Sequence, residues 1–186
     1  MKGLSLTQPW GFAVVHLGKM IENRRWNTNF RGDFFIHASA GLGRRVDFSD
    51  SCESIRDVLT SDPLTEERWH RFRDEHLDIR LVDGDAVFLP RGSIQRGGII
   101  GIATLAQVIP PCRAVPCNSK RPAMRTLFAS PCPHRWHAPM QFGFRLENIR
   151  PTTFVPFKGA LSFFEVPDDV ARKALGQATT KDEVHL

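Results

Sequence analysis

Within its first 39 residues the chain reads strand, helix, strand, strand, and nothing later restores the strand–helix alternation that a parallel sheet needs. "KGLSL" (residues 2–6) alternates as a short strand. "TQPWGFAVVHLG" then carries Trp10, Ala13, Val14 and Leu17 at helical spacing. Thr7 is placed to cap this helix, Pro9 suits its first turn, and Gly18 suits the left-handed position after its end. "KMIENRRW" follows as a strand candidate, "NTNFRGD" holds turn residues, and "DFFIHAS" is a second strand with a nearly continuous apolar run.

The character changes after residue 43. "RRVDFSDSCESIRDVL" and "TEERWHRFRDEHL" are polar and helical in spacing, broken at Asp62-Pro63. Residues 44–82 are too few to bury a core of their own, so they read as a helical insertion or lid within one domain, 1–186. Strand chemistry returns in "AVFLPRGSIQRGGIIGIATLAQVI", with a turn at Leu89–Gly92. A long proline-rich loop occupies 110–140. "QFGFRLENI" and "TTFVPF" read as two strands joined near Arg150-Pro151, and "KGALSFFEV" as a further strand or turn. "PDDVARKALG" reads as a closing helix with proline at its start and glycine past its end, and 177–186 as a frayed tail. The expected class is α+β, mainly β: a small mixed or antiparallel barrel with flanking helices.

Charge separates these regions. Residues 1–45 carry seven Lys/Arg against two Asp/Glu, 46–85 carry five against twelve, and 86–160 carry ten against one. Basic surfaces at both ends favour phosphate-bearing partners, and equally serve to keep a small protein dissolved. No apolar run approaches the roughly 20 residues of a membrane span, and the N-terminus lacks a signal-peptide core. The expectation is a soluble, cytoplasmic chain without a membrane partner, whose four cysteines (52, 112, 117, 132) stay reduced.

The densest chemistry lies in "GKMIENRRW". Strand alternation puts Met20, Glu22, Arg24 and Trp26 on one face and Lys19, Ile21, Asn23 and Arg25 on the other. Glu22 and Arg24 are then neighbours, able to orient a guanidinium for an anion, with Trp26 available to stack a base. The alternative is an exposed strand with a weak ion pair and Trp26 in the core. His16, His37 and Ser39 are candidate acid–base or phosphate-clamp groups, and equally ordinary structural residues. Arg91-Gly92 and Lys158-Gly159 each set a cation beside a glycine that permits close backbone approach, or are simple turns. Cys112, Cys117, Cys132, His134 and His137 are the ligand types of a structural zinc site, though irregularly spaced. "NSKRPAMRTLF" interleaves Lys120, Arg121 and Arg125 with Phe128, a pattern suited to single-stranded nucleic acid or to a solvated loop.

These pieces carry a family resemblance. Gln8-Pro9-Trp10, Gly18-Lys19, Glu22-x-Arg24 with Trp26, Arg31-Gly32 and "IHAS" resemble the opening of an ASCH (activating signal cointegrator-1 homology) domain. "LPRGSI…IIGIATL" and "FGFRLENIRPTTFVPFKGALSFF" resemble its later strands, with Ser162 where a glycine is expected. The resemblance implies a PUA-like β barrel with a cleft beside the first helix, and binding of RNA or a nucleotide-like ligand. The candidate ligand residues around such a cleft are Trp10, Lys19, Glu22, Arg24, Trp26, Arg31, Ser39, Arg91 and Lys158, and no cofactor is expected. Some similar proteins are ribonucleases or amidohydrolases of N4-acetylcytidine. For such an enzyme Lys19 and Glu22 would be catalytic, although Glu22 stands where the amidohydrolases place a hydroxyl. A protein-interaction module built on the acidic helical segment is the remaining alternative.

Overall fold

A computed structural model describes residues 1–42, 45–112 and 134–177. The elements in chain order are β1 (Lys2–Leu6), α1 (Trp10–His16), β2 (Ile21–Arg24), β3 (Gly32–Ala38), α2 (Arg45–Thr60) and α3 (Pro63–His76). There follow β4 (Leu77–Val82), β5 (Asp85–Pro90), β6 (Gly98–Ile109), β7 (Phe142–Pro156), β8 (Phe163–Glu165) and α4 (Asp168–Ala174). Six strands form one mixed sheet in the order β2-β7-β6-β3-β1-β8, and β4 and β5 form a separate hairpin.

The sheet is open in its hydrogen bonds but curled. Trp26, just past edge strand β2, lies 5.9 Å from Phe163 of the opposite edge strand β8. Phe144 of β7 stacks on the same Phe163 at 6.2 Å. Arg24 of β2 also reaches across to the Ser5 carbonyl of β1 at 2.7 Å. Side-chain contact thus closes what the strand ladder leaves open, giving a half-barrel. Its interior holds Leu4, Leu6, Phe34, Ile36, Leu105, Phe144 and Leu146. β3 is central and covered on both faces. Phe34 and Ile36 point inward, while Phe35 packs against α4 with Ile102 and Ala174. That double burial explains its unbroken apolar run.

Several expectations are corrected. The first helix starts at Trp10, not Thr7, and has no side-chain cap of its own at Pro9. The Gln8–Pro9 bond is cis, and Gln8 Oε1 instead accepts from the Phe12 amide at 2.9 Å. Of the two expected sheet types the mixed one is found: β1 and β3 pair in parallel, with α1 and β2 in the crossover. β7 is one strand running through Pro151, not two strands. Proline has no N–H for the ladder, and Pro151, opposite Gly101, sits beside a shift in the β6–β7 register, the kind of place where a strand tolerates it. α3 ends at His76 and a hairpin follows. Asp83 (φ 52°) and Gly84 (φ 86°) form its turn, a signal already present in "VDGD".

Two helices do form in this segment, broken at Asp62-Pro63. Asp62 caps α3 by accepting from the Leu64 amide at 3.0 Å, with Pro63 in the first turn. Phe48, Ile55, Leu59, Trp69 and Phe72 bury one face of the helical pair against α1 and Phe88 of β5. Ser162 adopts φ 59°, a left-handed conformation that glycine would hold at less cost. No helix among the described residues is long and apolar enough to cross a membrane.

Candidate functional site

Gly18 (φ 78°) ends α1 as expected, and the Lys19 amide bonds back to the Ala13 carbonyl at 3.1 Å. This return across the left-handed Gly18 turns Lys19 under the helix instead of along β2. Lys19 is therefore outside the strand, and the predicted alternation does not separate it from Glu22. Its ammonium donates to the Ile21 carbonyl and to Glu22 Oε2, the latter at 2.8 Å. It also lies 5.5 Å from the centre of the Trp10 ring. Only 2% of Lys19 is exposed. Burial pulls its pKa below the ordinary lysine value, with Glu22 opposing that shift.

Glu22 and Arg24 do share a face. Arg24 Nε stands 3.3 Å from Glu22 Oε1, an ion-pair distance, but the geometry is too bent for a hydrogen bond and Nε is buried without one. Nη2 of Arg24 holds the Ser5 carbonyl. Lys19, Glu22 and Arg24 thus form a buried brace between the end of α1, β2 and β1.

Ser5 carries the network onward. β1 and β3 are paired so that Ser5 faces His37. Ser5 Oγ lies 3.1 Å from His37 Nδ1, and His37 Nε2 lies 2.9 Å from the Phe157 carbonyl. A carbonyl only accepts, so Nε2 bears the proton and Nδ1 accepts from the Ser5 hydroxyl. His37 is 3% exposed, and burial lowers its pKa, partly offset by the Phe157 bond.

This pair borders a hollow of about 600 Å³ lined by Ser5, His37, Ser39, Phe157, Lys158 and Gly159, among others. Ser39 and Lys158, predicted from separate motifs, meet here. Gly159 permits the close approach expected of it: a Cβ there would collide with Ser5 Oγ and the His37 ring. Gly92, by contrast, has open space around it. Arg91 lies in another place. It binds Asp78 at 2.9 Å and the Asp74 carbonyl, stitching the hairpin to α3.

Other predicted residues also fall outside the hollow. Trp26 packs edge-on against Phe144 at 5.1 Å, inside the half-barrel cluster. Trp10 covers Lys19. Arg31 folds back on the Thr28 and Phe30 carbonyls before β3, whereas Ser39 follows the far end of that strand. About 25 Å of extended chain separates them, too far for one small ligand. Ser5 was not anticipated; its only signal was a hydroxyl at an outward position of an apolar strand.

Of the zinc set, Cys117 and Cys132 lie outside the described residues, as does "NSKRPAMRTLF". His137 is buried and its Nε2 donates to the Gln141 carbonyl at 2.8 Å, so Nδ1 is the atom facing Cys112 Sγ, 3.9 Å away. His134 is exposed. Among the described residues no three His, Cys, Asp or Glu side chains converge as a metal site. Asn23 pins this segment to β2, donating to the Trp136 carbonyl at 2.9 Å and accepting from the Ala138 amide at 2.8 Å.

No protein-family model matches the chain, and no curated protein matches it.

Three imidazoles make stability depend on pH. Burial lowers the pKa of His37, of His16 beside His76, and of His76 beside Glu75 and Arg91. Lys158 is the cation at the His37 hollow, and Arg68, Arg71 and Glu75 surround His16 and His76. The unfolded chain binds protons near 6.5, and these native groups only at lower pH. Their contribution is complete above that value and is lost as pH falls through the lowered native pKa values. The urea midpoint is expected to drop between about pH 7.5 and about pH 5.5, before most carboxylates titrate. A flat midpoint across that window would contradict it.

Proposed function

We propose that the chain binds RNA or a nucleotide-like ligand at the hollow of Ser5, Ser39 and Lys158. One observation carries the reading: an exposed ammonium with no protein partner among the described residues opens onto the same hollow as two hydroxyls. Lys158 would neutralise a phosphate, the hydroxyls would fix its orientation, and Phe157 with the largely exposed Leu161 would cover an apolar ring. The volume suits one nucleotide. The Lys19–Glu22–Arg24 brace would hold β1 in place behind it. The ligand class is that of the ASCH resemblance, but the place is not: no α1 residue lines the hollow, and of the expected ligand residues it brings together Ser39 and Lys158. That resemblance is also the support for a PUA-like description of the half-barrel and for a cytoplasmic RNA partner.

A fluorescently labelled single-stranded RNA, titrated at several salt concentrations, tests this. Affinity is expected to fall steeply with salt. Lys158→Ala is expected to weaken binding about threefold to tenfold and to reduce the salt slope by about one. Salt-independent binding, or an unchanged affinity in the variant, would refute the assigned hollow.

The Ser5–His37–Phe157 arrangement favours a second reading, acyl hydrolysis in the same hollow. A hydroxyl donates to an imidazole that a carbonyl holds in one tautomer, the geometry of an activated nucleophile. Ser5 Oγ would attack the acyl carbon as His37 Nδ1 takes the hydroxyl proton, then returns it to the leaving amine or alcohol. Water would release the acyl group. Incubation with N4-acylated cytidines should give product that Ser5→Ala abolishes; turnover surviving that change would exclude the mechanism.

A further inference from the structure

The insertion creates a second hollow on the other side of α1. Phe12 and His16 of α1, with Leu17 just past its end, face Arg68, Arg71, Phe72, Glu75 and His76 across about 400 Å³. Its floor is aromatic. The Phe12 ring lies 4.6 Å from His16, 4.9 Å from Phe72 and 4.6 Å from His76, with Ile100 beneath.

The rim is charged, and its charges are unequally satisfied. Arg71 is tied to Glu67 at 2.9 Å, one turn earlier on α3. Glu75 sits 3.6 Å from His76 Nε2, and His76 Nδ1 lies 2.9 Å from Ser93 Oγ. Arg68 alone has no hydrogen bond or ion pair among the described residues. It is nonetheless placed. Its Nη1 rests over Gly18, where a Cβ would stand only 2.6 Å away. Gly18 thus serves twice: it allows the left-handed turn that buries Lys19, and it leaves room for a guanidinium at the mouth of this hollow.

An unpaired, forked cation above an aromatic floor has a definite chemical complement. We propose that this hollow binds a small anionic ligand with a flat apolar body, its carboxylate or phosphate on Arg68 and its ring on Phe12. The guanidinium matches either head group in a bidentate manner, and the ring faces of Phe12 and His16 supply apolar contact. This site is separate from the hollow of Lys158. α1 and its buried brace stand between the helical insertion and β1, so a ligand here would lock the insertion onto the half-barrel.

The test uses two probes, adenosine monophosphate and 2-naphthoate, titrated into the full chain carrying nitrogen-15 label. Binding by either is expected to shift the amides around Phe12, His16, Phe72 and His76. Binding by the first alone marks a phosphate site, and by the second alone a carboxylate site. Arg68→Ala changes an exposed side chain and should leave the spectrum folded while lowering affinity about tenfold or more. Lys158→Ala should leave these shifts intact, which separates this site from the proposed RNA site. Absence of binding by both probes at millimolar concentration, shifts confined to the Lys158 hollow, or full affinity in Arg68→Ala would each overturn the proposal.

Discussion

Lys19→Met is expected to lower folding stability by about 3 kcal/mol, as measured by urea denaturation. That figure is the low end of the range for removing one partner of a buried ion pair. Glu22 is then left with little exposure and only the poorly aligned Arg24 Nε as a charged neighbour. Methionine fills much of the space, so the loss is chiefly electrostatic and not a cavity effect. The Ile21 carbonyl also loses its donor. Neutralising the other partner should recover part of the loss: Lys19→Met with Glu22→Gln is expected to be more stable than Lys19→Met alone. A cost below about 1 kcal/mol, or strictly additive effects in the double variant, would show that the pair is not a coupled buried unit.

The same pair shows where sequence reasoning stops. Period-two alternation correctly set Glu22 beside Arg24, because both lie within β2. It failed for Lys19, because the left-handed Gly18 and the bond from Lys19 to Ala13 rotate that residue out of the strand register. Alternation describes regular strand only; one turn residue resets which way the next side chain points. The glycine was legible, but its consequence for Lys19 needed the carbonyl it bonds.

A similar limit separated the site residues. Lys158-Gly159 and Arg91-Gly92 look alike as dipeptides. Only the pairing of β1 with β3 brings the Ser5–His37 pair under Gly159, and no local pattern encodes which strands become neighbours. The helical pair was legible because Asp62-Pro63 is a local stop and start signal and the two helices bury one face. The unbroken β7 was not, since proline reads as a break unless the register shift opposite it is known.

Non-local contact matters most at the seam of the half-barrel, and there the second large effect is expected. Phe144→Ala should destabilise the chain by about 3–5 kcal/mol, the range for truncating a buried phenylalanine. Phe144 has no exposed surface, and its backbone pairs with Glu22 of β2 on one side and Val108 of β6 on the other. Its ring meets Trp26 at 5.1 Å and stacks on Phe163, which also touches Phe30 and Phe34. The ladder leaves the β2 and β8 edges unjoined, so these rings carry the closure. Phe163→Ala should therefore couple to Phe144→Ala by about 0.5–1.5 kcal/mol in a double-mutant cycle. Amide exchange at Asn23 and Arg24 should quicken in either single variant, because β7 is the one strand with which β2 shares a ladder among the described residues. Additive losses with unchanged exchange in β2 would mean that the edges are held together elsewhere. The bond from Arg24 to Ser5 would then be the remaining tie across the seam, and Arg24→Met the variant that opens it.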